Sequence, residues 1–267
     1  MEFYTKVTIK NNPWQLSVED KILLLGSCFS TNMADKMKEY YMRVTSNPAG
    51  TLYNPISIAH HMEGEEVENA DVIIITFGTS WVYELDGKVV DNCQKRPANL
   101  FTRRRLTIDD IVQTWKPILD RYAKKRFIFT VSPIRHIKDG LHENQISKAI
   151  LLQAIDELHR GAIARISYFP AYEIMLDELR DYRFYAEDML HPSAVAINYL
   201  WERFRIKYMY KQLTADNLHS LHQLWLDKHH KILHPDSEDA KVFEQHVKQE
   251  YTLLAKRFSW LNTELNN

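Results

Sequence analysis

Four short apolar runs constrain this chain more than any other feature: Ile22 to Leu25, Asp71 to Phe77, Arg126 to Val131 and Ala164 to Phe169. They are rich in β-branched residues, and none alternates apolar with polar positions. A strand buried on one face alternates, whereas a strand covered on both faces reads as an unbroken hydrophobic run. Between the runs lie longer stretches with apolar residues three and four apart: Ser30 to Tyr40, Thr107 to Lys124 and Asn144 to His159. Strands of this kind separated by helices predict a parallel sheet between two helical layers, an α/β/α sandwich with right-handed crossovers. At 267 residues, 45% of them hydrophobic, the chain is long enough for one sizeable core and a small appendage.

Other segments decorate that frame. Trp81 to Val90 alternates and carries an Asp86-Gly87 turn, which predicts a hairpin beside the sheet. No helix is expected to run through His191-Pro192, because the residue before proline is pushed out of the α region. A new helix is expected from Ser193 to Tyr210. Beyond Thr214 the pattern is wholly helical, with a break at Pro235-Asp236-Ser237 that separates two amphipathic segments. The expected organisation is therefore a domain over residues 1–213 and a helical extension over 214–267 packed on it.

Lys and Arg number 34 against 35 Asp and Glu, for a formal net charge of -1, and no like-charge run reads as a tail. Neither nucleic acid nor an anionic membrane is a favoured partner for such a surface, and a small molecule is. Cys28 and Cys93 fit neither a disulfide framework nor a CxxC metal site, which suits a reducing compartment. The first residues lack a basic segment followed by an apolar stretch, and no apolar run reaches the roughly 18 residues of a membrane span, so a cytoplasmic location is expected.

The first apolar run stops at Gly26-Ser27-Cys28, and a helical pattern starts directly after it. In open parallel sheets ligands bind outside the carboxyl ends of the strands, so Ser27 stands where chemistry is usually done. The N–H groups and dipole of the following helix favour developing negative charge there. Serine at that position is equally a good N-cap, and the G-x-S-x-G elbow of α/β-hydrolases is absent. A nucleophilic serine needs a base and a group to orient it. Asp188 and His191 qualify: the carboxylate can hold one ring nitrogen while the other faces a hydroxyl.

Gly26-Ser27-Cys28-Phe29 resembles the signature of the GSCFA family, a branch of the SGNH (GDSL-like) hydrolases, and Asp188-Met189-Leu190-His191 resembles the Asp-x-x-His block of that superfamily. The similarity extends through Asn47 to Pro55, Thr76 to Trp81, Asn92-Cys93, Ser132 to His136 and Tyr182 to Tyr185, covering roughly residues 20 to 210. It implies a flavodoxin-like sheet and serine-dependent ester hydrolysis with neither metal nor cofactor. Carried over, Ser27 is the nucleophile, His191 the general base and Asp188 its orienting carboxylate. The implied oxyanion hole draws on the Ser27 N–H, on Gly50 and on the Gly78-Thr79-Ser80 loop. Ser80 stands where the superfamily has asparagine, so Ser80, Thr79 or an asparagine from another loop, Asn54 or Asn92, would have to serve. Losing one such donor typically lowers rate by a factor of ~10² to 10³.

Substrate-binding candidates are Asn54, Tyr53, Trp81, Arg135 and His136. Arg135 could bind a carboxylate or phosphate in bidentate fashion or pair with a structural acid, and His136 could face the crevice or cap its loop. Tyr53 and Trp81, with Tyr83, could stack on a sugar or belong to the core. Cys28 is either a second nucleophile at a helix start or a packed core residue, and packing is expected. His60-His61 and His229-His230 with His234 lack an acidic cluster to complete a ligand set, so no metal site is expected. Two rivals to hydrolysis stay open: a non-catalytic binding module on the same fold, and acyl transfer to a sugar hydroxyl. Related hydrolases often deacetylate saccharides, but these motifs specify neither the acyl group nor the alcohol.

Overall fold

A computed structural model of the chain describes residues 4–10, 14–160, 165–209 and 215–266. Its strands are β1 (Lys21–Gly26), β2 (Arg43–Ser46), β3 (Val72–Phe77), β4 (Trp81–Leu85), β5 (Lys88–Val90), β6 (Thr102–Arg105), β7 (Arg126–Val131) and β8 (Ile166–Tyr168). Its helices are α1 (Cys28–Lys38), α2 (Pro55–Ala59), α3 (Glu65–Asn69), α4 (Ile108–Arg121), α5 (Leu141–Arg160), α6 (Ala171–Glu173), α7 (Ala194–Tyr208), α8 (Ala215–Lys228) and α9 (Glu238–Arg257). A five-stranded parallel sheet runs in the order β2-β1-β3-β7-β8, and β5-β4-β6 make a separate antiparallel sheet. The order reverses between β1 and β3, which pair in register from Ile22↔Val72 to Gly26↔Thr76. That is the flavodoxin-like arrangement, whose switch point lies at the carboxyl ends of those two strands.

The unbroken apolar runs are explained by which face each residue supplies. Ile22, Leu24, Val72, Ile74 and Ile128 point into one core with Phe29 and Met33 of α1 and Leu200 and Phe204 of α7. Their neighbours Leu23, Leu25, Ile73, Ile75, Phe127 and Phe129 point into the other, against Trp115 and Leu119 of α4 and Leu151 and Ile155 of α5. Burying each such side chain contributes about 1.5 to 3 kcal/mol relative to exposure. Thr107 and Asp110 close a capping box at the start of α4, satisfying N–H groups the helix itself leaves free.

The helices α8 and α9 share the first core, to which they bring Leu218, Leu221, Leu224 and Leu254. Trp260 Nε1 donates to the Tyr41 carbonyl at 3.1 Å, tying the chain's end to the turn after α1. Among the described residues no helix is long and apolar enough to cross a membrane. The expected boundary at 213/214 lies outside the described residues, as do Ala164, where the fourth apolar run was expected to begin, and Tyr210.

Candidate active site

The site begins at the tightest contact in the sheet. Gly26 ends β1 with φ +134°, and a Cβ there would stand 2.1 Å from the Thr76 carbonyl oxygen of β3. Only glycine lets the two strand ends close this far. Asn47 fixes the exit: its side chain accepts from Gly26 N–H at 2.8 Å and donates to Thr31 Oγ1 at 3.2 Å. Ser27 follows as the N-cap of α1, its Oγ accepting from Phe29 N–H at 3.3 Å. The residue is fully buried, and its hydroxyl donates to Ser132 Oγ, 3.0 Å away at the end of β7.

His191 and Asp188 sit on the loop before α7. Asp188 Oδ1 accepts from the N–H groups of Leu190 and His191, both at 2.9 Å, and Oδ2 meets His191 Nδ1 at 2.5 Å. Met189 makes this possible by adopting φ +59° between them, a left-handed conformation that costs a non-glycine residue of order 1 kcal/mol or more. The His191 N–H, then that of Leu190, then the ring hold the Asp188 carboxyl down at about 2. Both side chains are 44% exposed. The loop is pinned by Ala186 N–H to His191 O at 2.7 Å, and by Arg135 N–H to Leu190 O at 3.2 Å. The segment 132–136 therefore touches both halves of the proposed triad, Ser27 through Ser132 and the His191 loop through Arg135. Among the described residues no hydrogen bond joins Ser27 to His191.

The oxyanion candidates are all engaged internally. Gly78 and Thr79 N–H groups both donate to the Tyr53 carbonyl, at 2.8 and 2.9 Å, and Gly50 N–H closes a turn onto Asn47 O at 2.8 Å. Ser27 N–H leans on Thr76 O at a long 3.3 Å. Ser80 is fully buried and turns away, its N–H and Oγ both directed at Ser147 Oγ. Asn54 caps α2, accepting from Ser57 N–H and donating to Ser57 Oγ, each at 2.9 Å, and Asn92 accepts from Gln94 N–H in its own turn.

Of the remaining candidates, Tyr53 and His136 share the wall over Gly78. Tyr53 is 42% exposed, with its hydroxyl 4.0 Å from Cys28 Sγ and its ring edge-on to His136 at 5.6 Å. His136 caps nothing with its ring. Its Nε2 would stand 3.0 Å from a Cβ on Gly78, and burial, then the charges of Lys148 and His191, push its pKa down to about 3. Among the described residues Arg135 pairs with no acid, and it stacks over Tyr185 at 4.0 Å and Tyr182 at 4.9 Å. Trp81 goes elsewhere: it lies on the small sheet under the guanidinium groups of Arg103 and Arg105, at 5.0 and 5.8 Å. Tyr83 lies there too, 4.9 Å beneath Arg103. Cys28 is partly buried and packs on the first core. His60 and His61 converge on opposite oxygens of Asp91 at 2.7 and 2.8 Å, because they follow the end of the short α2 rather than ride on a long helix.

Lys148 is the residue that sequence reasoning missed. It is buried to 1% and donates to Gly78 O at 2.7 Å and Ser132 O at 2.8 Å, so one ammonium ties the ends of β3 and β7 together. Burial lowers its pKa to about 7. A lysine within an amphipathic helix carries no local mark of this role, which depends on which face of α5 meets the strand ends.

No curated protein matches the chain in sequence. Solved structures similar to it include an Axe2 mutant, an acetyl-xylooligosaccharide esterase from Geobacillus stearmophilus, at 10% identity and TM-score 0.49, covering 75% of this chain and 100% of that one. A member of the lipolytic G-D-S-L family from Veillonella parvula is similar at 10% identity and TM-score 0.46, covering 72% and 98%. A GDSL-like lipase from Bacteroides thetaiotaomicron is similar at 13% identity and TM-score 0.44, covering 69% and 85%. The model of the GSCFA family matches residues 21–66 and 62–204, a span that holds the Gly26-Ser27 turn, the Gly78 loop, the Ser132 loop and the Asp188-His191 clasp. The chain belongs to the GSCFA family.

Proposed function

We propose that this chain is a serine hydrolase acting on a small ester. Ser27 attacks the carbonyl, His191 takes its proton and later returns it to the leaving alcohol, and water releases the acid. Asp188 fixes the imidazole tautomer and stays ionised throughout. The observation that carries this reading is the clasp of His191 by Asp188, on a loop bonded to the strand-end segment whose Ser132 Oγ accepts the hydrogen bond of the Ser27 hydroxyl. For attack the Ser27 hydroxyl turns from Ser132 to the free ring nitrogen, the kind of tightening that catalytic bonds undergo when substrate arrives. The start of α1 and Gly50 are the proposed source of oxyanion stabilisation.

One observation favours a second reading, a non-catalytic binding module on the same fold. The N–H groups of Gly50, Gly78, Thr79 and Ser80 all have internal acceptors, and among the described residues no hydrogen bond joins Ser27 to His191. Intact mass after fluorophosphonate treatment separates the two. A single adduct on Ser27 that disappears in Ser27→Ala and His191→Ala supports the hydrolase. No adduct on folded protein refutes it and leaves Ser27 as a helix cap. If Ser27 is labelled, product analysis with added saccharide acceptors separates hydrolysis from acyl transfer.

A further inference from the structure

We propose that the Arg135 guanidinium is a subsite for an anionic oxyacid group, carboxylate or phosphate, on the ligand that enters the Ser27 crevice. As a statement about substrate it rests on the hydrolase reading; as a statement about binding it stands alone.

Most of the other partly buried arginines sit beside a carboxylate: Arg103 meets Asp139, Arg105 meets Glu143, Arg126 meets Asp20, Arg203 meets Glu178 and Arg165 lies 3.7 Å from Asp120, while among the described residues no acid pairs with Arg205. Arg135 is half-buried and meets no carboxylate among the described residues. The nearby acids are already committed: Asp188 to His191 and to two backbone N–H groups, Asp181 to Arg183 at 3.5 Å. In place of an acid Arg135 has two aromatic faces, Tyr185 at 4.0 Å and Tyr182 at 4.9 Å, and a bond from Nη1 to the Tyr182 hydroxyl at 3.4 Å. Stacking fixes the plane of the guanidinium and leaves most of its five donors unused, the arrangement that suits bidentate capture of a planar carboxylate or a phosphate. It also removes in advance much of the rotamer freedom that binding would otherwise cost.

Position gives the subsite its meaning. Arg135 N–H bonds the carbonyl of Leu190, the residue before His191, and its chain neighbour His136 lies close enough to feel the His191 charge. Ser27 and Arg135 are thus joined through one strand-end segment, Ser27 by its bond to Ser132 and Arg135 by its own place in that segment beside the His191 loop.

The test uses non-hydrolysable and hydrolysable ligand pairs on the full chain. Calorimetric titration compares N-butylsuccinamate with neutral N-butylbutyramide, and a phosphonate-ended analogue separates phosphate from carboxylate. Chromogenic hemisuccinate and butyrate esters compare kcat/KM. The expected result is a preference for the anionic partner on the order of tenfold in wild type, abolished in Arg135→Gln and partly recovered in Arg135→Lys. The same preference in wild type and in folded Arg135→Gln overturns the subsite, as does equal affinity for charged and neutral amides. Turnover without charge preference removes the subsite and keeps the hydrolase; Arg135-dependent binding without turnover does the reverse.

Discussion

Lys148 gives a sharp quantitative test of how the crevice is built. Among the described residues no carboxylate pairs with its buried ammonium, and burial lowers its pKa from an ordinary 10.5 to about 7. In the unfolded chain the amine binds a proton below its ordinary value; in the folded chain it does so only below about 7. Between those limits the unfolded state holds more protons, so stability rises with pH across the window and falls back as pH drops toward 7. The slope is about 1.4 kcal/mol per pH unit, with a ceiling of roughly 5 kcal/mol over the full interval. The bonds to Gly78 O and Ser132 O favour the charged form and trim that ceiling. Lys148→Met removes the titrating group, so the difference between wild type and variant isolates it from every tyrosine and lysine the two proteins share. Urea unfolding at about pH 7.5 and about pH 9.5 should show the wild-type advantage growing by roughly 2 to 3 kcal/mol. Parallel stability profiles would refute the reasoning and show that the two carbonyls keep Lys148 fully charged.

Further outcomes follow from the same geometry. Ser27→Ala and His191→Ala should each remove most ester turnover and Asp188→Asn somewhat less, with the double variant Ser27→Ala/His191→Ala scarcely worse than either single one; additive losses in kcat would contradict a shared step. Gly26→Ala, which sets a methyl 2.1 Å from the Thr76 oxygen at φ +134°, should cost about 3 kcal/mol or more, read as a lowered urea midpoint, and an unchanged midpoint would mean the strand ends part freely. His136, whose pKa is pushed down to about 3 mainly by burial, should keep flat ring NMR shifts from neutral pH to about pH 5, where an ordinary histidine has titrated. Because the unfolded chain protonates that ring first, its contribution to stability is present above the ordinary value of 6.5 and is lost as pH falls toward 3.

Much of the fold was legible because the strands between two helical layers have no polar face to conceal them. What stayed hidden is equally physical. β2, with sequence RVTS, is an edge strand whose exposed positions can be polar, and β6, TRRR, carries arginines whose carboxylate partners Asp139 and Glu143 are far away in sequence. The candidates Ser27, Asp188 and His191 could be singled out from the strand exit and the Asp-x-x-His spacing, and their proposed roles came with the family resemblance. The engagement of Gly78 and Thr79 by the Tyr53 carbonyl, the placing of Trp81 on the small sheet and the burial of Lys148 each depend on contacts between distant segments, which spacing along the chain does not encode.

The two cores differ in which parts of the chain supply them. The layer around Trp115 and Phe129 is drawn from residues between Leu23 and Tyr172. The opposite layer joins Leu16, Phe29 and Met37 from the beginning to Leu254, Phe258 and Leu261 near the end. During synthesis the first layer can close while the second still lacks part of its cover, leaving one side of the sheet partly bare until α8 and α9 have emerged from the ribosome. A nascent chain stalled before α8 should therefore resist protease around α4 and α5 and be cut near α1; uniform protection would show that α8 and α9 are dispensable. The helices α8 and α9, which complete the cover of that second core, lie outside the stretch matched by the family model, so the family match does not reach the residues that close this face.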